Sequence, residues 1–188
     1  PGVLKDGAIV SHEGCASIAD RTTGQLLFYT NGDSVWNRNH RLMPNGRGLR
    51  GHWSSTQSAL IVPMPGSTTT YYIFTSDAGQ YVDAPNDGIF YSIVDMTKAN
   101  GLGDVTLSAD SLLRPAADKL TAVRACDGTH WAIARRAYTA FFAFKVTRPG
   151  IASPVVSFAG TGPGPPPDQG PPPRGQMDAP PVGAKLRL

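Results

Sequence analysis

Apolar and polar positions trade places every few residues along most of this chain, and each apolar run ends in a turn signal. Residues 14–43 set the pattern. Cys15–Ala19 is a short run of small residues, and Asp20-Arg21-Thr22-Thr23-Gly24 follows as a hairpin loop with glycine at its end. Gln25–Thr30 (QLLFYT) is strongly apolar, and Asn31-Gly32 is a tight-hairpin signal. Ser34–Asn37 predicts a third strand and Arg41–Met43 a short outer one. Gly7–Val10, ahead of them all, predicts a lead-in strand. Strands this short, at this spacing, predict an antiparallel meander.

The plan then recurs. In a second unit, Ser58–Val62, Thr70–Ser76 (TYYIFTS), Ile89–Met96 and a weak Gly103–Ser108 read as strands, with a loop over 83–88. In a third, Leu120–Ala125 leads through the hairpin Cys126-Asp127-Gly128 to Thr129–Ala134, Ala140–Thr147 and Pro154–Ala159. The period of roughly 45–60 residues is that of β-propeller blades. The expected fold is therefore all-β: a partial β-propeller over 1–159, of about three four-stranded antiparallel blades at approximately 14–43, 58–108 and 119–159. A β-sandwich, which also needs many short strands, is the competing expectation. Three blades close no ring, since propellers have about four to eight. The unit is then open, or one sector of a parent protein with further blades.

Composition sharpens this. The chain has 21 Gly and 17 Pro and is only 16% charged, and Glu13 is its one glutamate. Asp and Asn favour turns where Glu favours helices, so the bias supports β structure. Nine of the 29 residues in 160–188 are proline, so this stretch supplies no core and predicts a disordered or polyproline tail. The formal charge of +3 is spread out, with Arg135-Arg136 the one adjacent Lys/Arg pair, which argues against a nucleic-acid partner. No apolar run approaches the ~20 residues of a membrane-spanning helix, so no membrane insertion is expected. Cys15 and Cys126 sit in or beside apolar runs and read as buried free thiols, with a disulfide between them the alternative.

Catalytic signals are sparse. The histidines, His12, His40, His52 and His130, show no metal-ligand spacing. GxSxG, GxGxxG, the P-loop and the DxDxDG calcium run are missing, and no cofactor is expected. The best binding candidate is the connection Trp53-Ser54-Ser55-Thr56-Gln57, because loops entering an inner strand lie at a propeller's face. Trp36 and Trp53 lie near loops and suit stacking on a sugar. His40 and His52 flank the connection and read as approaching each other. Ser, Thr and Gln there also suit the plainer task of satisfying backbone groups between blades. An enzyme reading, a carbohydrate-active hydrolase or lyase, requires two carboxylates about 5–9.5 Å apart. With one Glu, they come mostly from Asp.

The motifs EGCASIAD, GQLLFYTNGDSVWNRNHRLMPNG, SSTQSALIVPMPGS, YYIFT, YSIVDM, GLGDVT and KLTAVRACDGTHWAIA occur in one order. From about residue 7 to 160 they resemble the propeller-like, WD40-like N-terminal region of large gliding-motility-associated and PKD-domain proteins of Bacteroidota. The resemblance implies consecutive blades, a non-catalytic role in adhesion or protein contact, an unknown protein or glycan partner, and secretion, often by the type IX route, to the cell surface. It carries no catalytic residues. In that family the strand matching Pro154-Val155-Val156-Ser157 leads on to more blades, whereas here it meets the proline-rich stretch, as a truncated product would.

Overall fold

A computed structural model describes residues 6–78, 88–136 and 140–159. The proline-rich stretch and most of the loop expected over 83–88 lie outside them. The described residues form strands Ala16–Ala19 (β1), Leu26–Thr30 (β2), Val35–Asn37 (β3), Ala59–Pro63 (β4), Thr70–Ser76 (β5), Ile89–Asp95 (β6), Asp104–Leu113 (β7), Leu120–Arg124 (β8), His130–Arg136 (β9), Ala140–Thr147 (β10), Gly150–Ile151 (β11) and Val155–Phe158 (β12). They hold no α-helix beyond one short turn at Ala99–Gly101, and hence no helix long and apolar enough to cross a membrane. The strands make three antiparallel sheets, ordered β1-β2-β3, β4-β5-β6-β7 and β11-β10-β9-β8, with β12 also paired to β10.

Alternation decides how the sheets stack. Cross-strand partners share a face. On the second sheet, Ile61 and Ile73 pair, and so do Tyr71 and Val94. This face packs on Phe28, Val35 and Met43 of the first unit and on Leu49 of the connection that follows it. The opposite face carries Val62 with Tyr72 and Leu60 with Phe74. It packs on Leu120, Ala132, Ala134, Phe144 and Val146 of the third sheet. The second sheet is thus buried on both sides, which is why TYYIFTS reads as nearly continuous apolar sequence rather than as alternation. Phe28, Phe74 and Phe90 are fully buried, and each contributes about 2–3 kcal/mol by leaving water.

The first strand of each sheet is its edge strand, and these edges neighbour one another in turn, β1 beside β4 and β4 beside β8.

Several expectations are corrected. Gly7–Val10 forms no strand; it is irregular and lies over Tyr29, whose hydroxyl accepts the Ala8 N–H at 2.9 Å. The outer strand expected at Arg41–Met43 shrinks to one bridge, Trp36 to Leu42. The Asn37 side-chain oxygen accepts the N–H groups of Asn39 and Arg41 and winds this stretch into a turn. The first sheet is accordingly three-stranded, not four. Conversely, β7 runs to Leu113 through register shifts, with the Ser92 hydroxyl accepting the Ala109 N–H at 2.9 Å. Both cysteines are free and exposed, not buried, because Cys15 precedes β1 and Cys126 lies in the β8–β9 turn.

Candidate functional site

The starts of β1, β4 and β8 converge on the connection 54–58. The Gly14 N–H donates to the Ser55 carbonyl at 3.2 Å. The Ser58 hydroxyl lies against the carbonyls of Gly14 and Asn31, 2.9 Å from the latter. The Thr56 N–H donates to Asp118 Oδ2 at 3.0 Å, and Lys119 Nζ lies 3.2 Å from both Thr56 Oγ1 and Asp118 Oδ1. One short connection thereby ties the first sheet's lead-in, the second sheet and the residues opening the third.

Serine 76, at the end of β5, completes the knot. Its hydroxyl donates to the Gln57 carbonyl at 2.9 Å and lies 2.6 Å from the Ser55 hydroxyl, which also reaches the Asp77 carbonyl at 3.3 Å. Its carbonyl accepts the His52 N–H at 3.1 Å and its N–H donates to the Ser58 carbonyl at 3.2 Å. The Gln57 side-chain amide donates to the Ala59 carbonyl. Ser54, Ser55 and Gln57 are buried. Buried backbone groups need such partners, since leaving one unpaired costs about 1–3 kcal/mol. Glycine permits the close approach: a Cβ on Gly51 would sit 2.6 Å from the Gly32 backbone, and one on Gly32 would sit 2.7 Å from the Ser58 carbonyl oxygen.

Trp53 escapes this knot. It is 55% exposed, with His12 at 4.8 Å edge-on and His52 at 5.1 Å, centroid to centroid. The His52 ring is fixed because its Nδ1 accepts the Ser54 N–H at 3.2 Å, which places the ring proton on Nε2. A large indole on a rigid connection, braced by two imidazoles, is a surface on which a flat apolar group can stack.

Trp36 and His40 belong elsewhere, on the face of the first sheet turned away from the second. Trp36 stacks on Tyr29 at 5.6 Å. The Tyr29 hydroxyl lies 3.0 Å from His40 Nδ1, and His40 Nε2 lies 3.4 Å from Asp6 Oδ2. The same hydroxyl accepts the Ala8 N–H, so Asp6, His40, Tyr29 and the lead-in backbone form one chain of polar contacts. This chain pins the lead-in onto the sheet beside a cleft of about 310 Å³ lined by Ile9, Cys15, Ser17, Leu26 and Tyr29, among others. His40 and His52, expected to approach each other, have different partners here, Tyr29 and Asp6 for one, Trp53 and Ser54 for the other.

Aspartates are mostly used locally. Asp20, Asp95 and Asp127 accept N–H and hydroxyl donors two or three residues on, which holds each carboxyl below the usual range. No group of three His, Cys, Asp or Glu among the described residues converges as a metal site requires. The residues that sequence reasoning missed are Asp118 and Lys119. They match no motif, but they stand just before the first strand of a sheet, as Gly14-Cys15 and Gln57-Ser58 do. The repeat itself was the available signal.

A scan of protein-family models, a search of curated proteins and a search of solved structures each return no match to this chain.

Proposed function

We propose that the three sheets are a sector of a β-propeller and that the chain is a non-catalytic binding module of a secreted or cell-surface protein. The sequential neighbouring of β1, β4 and β8 supports the propeller reading, because blades meet along their first strands. The resemblance to gliding-motility-associated and PKD-domain proteins supports the surface setting. Exposed Trp53 on a connection tied to all three sheets is the observation that carries the binding reading. Aromatic residues on rigid supports are what binding surfaces use as anchors. The partner is a glycan or a protein, and adhesion is the task this serves.

The test is binding of the full chain to a panel of neutral and acidic oligosaccharides, and to surface-protein extracts resolved by mass, with Trp53→Ala alongside. The expected result is a ligand whose affinity falls at least tenfold in the variant while the melting temperature holds. A ligand bound equally well by the variant would remove Trp53 from the site.

A further inference from the structure

The outer edges of the three sheets are finished differently. The outward backbone groups of β3 are taken up by the loop that follows it. The Val35 N–H donates to the Gly46 carbonyl, the Asn37 N–H donates to the Arg41 carbonyl, and the Val35 carbonyl accepts the Met43 N–H. β7 carries Asp104 and Asp110, shifts register against β6, and holds Ala109 at a left-handed φ of 51°. Covering loops, charges and bulges are what keep a sheet edge from pairing with another chain. β12 has none of these among the described residues. Its sequence, Val155-Val156-Ser157-Phe158, is uncharged, and it pairs β10, its one strand partner there, without a register shift.

This edge is also apolar where it meets water. Val155 is 38% exposed, Val156 44% and Phe158 78%. They are three of the five large hydrophobics exposed among the described residues, gathered on one short strand. Val156 and Phe158 share a face with their β10 partners Phe142 and Ala140. Phe142 packs at the rim of the core between the second and third sheets. The two exposed side chains carry that apolar face past its rim.

The ladder shows which backbone groups face out. The Ala152 N–H donates to the Lys145 carbonyl at 2.9 Å, so Lys145 turns its backbone groups to this edge, and by alternation Ala143 and Phe141 do too. The far side agrees. The Arg135 N–H donates to the Lys119 carbonyl at 3.3 Å, so Ala134 and Arg136 are the β9 residues bonded to β10, opposite Phe142 and Ala140. The partners of Ala143 and Phe141 on β12 are Val155 and Ser157, whose N–H and C=O groups therefore bond β10. Those of Val156 and Phe158 point away from the sheet.

We infer that β12 pairs edge to edge with the β12 of a second copy of this chain, antiparallel about a two-fold axis at Ser157. In this register Val156 of each copy stands opposite Phe158 of the other. The outward groups of those two residues then exchange N–H···O=C bonds, and the two side chains meet on one face. The strand is self-complementary, because the residues that direct backbone groups outward are also its two most exposed apolar ones, and the two-fold sets them against each other. Neither edge brings a charge that would repel the other. The sequence that follows, 160–188, fits this edge poorly, since nine of its 29 residues are proline, which donates no N–H. So short a pairing belongs to the weak class of interfaces, formed at high concentration or where copies crowd on one surface. It depends neither on the propeller reading nor on Trp53.

The test is sedimentation velocity of the full chain from micromolar to millimolar concentration. Wild type is expected to pass from monomer to dimer and no further. Val156→Pro removes an outward N–H and leaves the β10 ladder whole, and Phe158→Lys sets a charge on the edge; each is expected to weaken the dimer at least about tenfold. Melting curves establish that the variants fold, and Phe158→Lys, at an exposed position, serves if Val156→Pro does not. The register has its own readout. The two-fold places both Ser157 residues in a non-hydrogen-bonded pair with Cα atoms about 4.5 Å apart, within disulfide reach. In a Cys15→Ser, Cys126→Ser background, Ser157→Cys is expected to cross-link two copies under mild oxidation, and Val156→Cys to cross-link far less. A wild type that stays monomeric, or that grows beyond a dimer, overturns the pairing. So does a dimer that both edge variants leave unchanged, or a Val156→Cys that cross-links as well as Ser157→Cys.

Discussion

Gly51→Ala is the sharpest stability test of the knot between the first connection and the β2–β3 turn. The added Cβ would stand 2.6 Å from the Cα, carbonyl carbon and oxygen of Gly32, and ordinary contact begins near 3.4 Å. The two backbones must separate by about 0.8 Å to make room. They are also joined by the Gly51 N–H donating to the Gly32 carbonyl at 2.9 Å. Such a movement carries that bond beyond hydrogen-bonding range and forfeits about 1 kcal/mol. Overpacking a rigid site adds roughly 1–3 kcal/mol. The total is about 2–4 kcal/mol, which for a chain of this size lowers Tm by about 4–16 °C. The control is Gly24→Ala. Gly24 has φ 71° with nothing within 4 Å of its would-be Cβ, so it reports conformational cost alone, about 1–2 kcal/mol. Both are measured by urea unfolding followed by tryptophan fluorescence. A Gly51→Ala variant within ~0.5 kcal/mol of wild type, or one less affected than Gly24→Ala, refutes the close approach.

Two further outcomes follow from the same structure. Lys119→Met leaves the Asp118 carboxylate largely buried without its cation and is expected to cost about 3–5 kcal/mol in urea unfolding, and adding Asp118→Asn should return part of the loss. The Tyr91 hydroxyl donates to Asp110 at 2.7 Å; that bond first, and burial second, push its pKa up to about 12. A folded value above the unfolded value near 10 contributes stability below pH 10 that disappears as pH rises through about 12. Ultraviolet titration should find Tyr91 ionising late, together with Tyr71 and Tyr72, which burial also pushes up, and Asp110→Asn should bring Tyr91 alone back toward the usual value.

Much of the architecture was legible in the chain. Thr70–Ser76 and Ala140–Thr147 are strands at the expected bounds, because long β-branched and aromatic runs between turn signals leave little choice. The three-unit plan was readable from the recurrence of those runs. What was hidden depended on single polar side chains. Nothing in RLM shows that the Asn37 carboxamide, nearby, will wind the next residues into a turn instead of an outer strand. Nothing in the second unit shows that β7 will absorb register shifts and continue to Leu113. The cysteines looked apolar by their neighbours, but Cys15 stands just ahead of β1 and Cys126 in the β8–β9 turn, and those positions outweigh composition. At the candidate site, the sequence pointed to the connection 53–57 as a whole. The structure divides it: Ser54, Ser55 and Gln57 are buried, the latter two bonding backbone carbonyls and Ser54 the His52 ring, and Trp53 faces outward. That division is set by tertiary hydrogen bonds to Gly14, Ser76 and Asp118, which no local pattern encodes.

The central claim is that the second sheet is stacked between the other two, presenting Tyr71 to the first and Phe74 to the third. A double-mutant cycle tests it most directly. Phe28 and Tyr71 meet edge to face, with ring centroids 5.4 Å apart, so Phe28→Ala and Tyr71→Ala should couple by about 0.5–1.5 kcal/mol in urea unfolding. Phe74 lies on the opposite face of the same strand, so the Phe28→Ala and Phe74→Ala pair should be additive within ~0.3–0.5 kcal/mol. Coupling absent from the first pair, or equal in both, would contradict the stack.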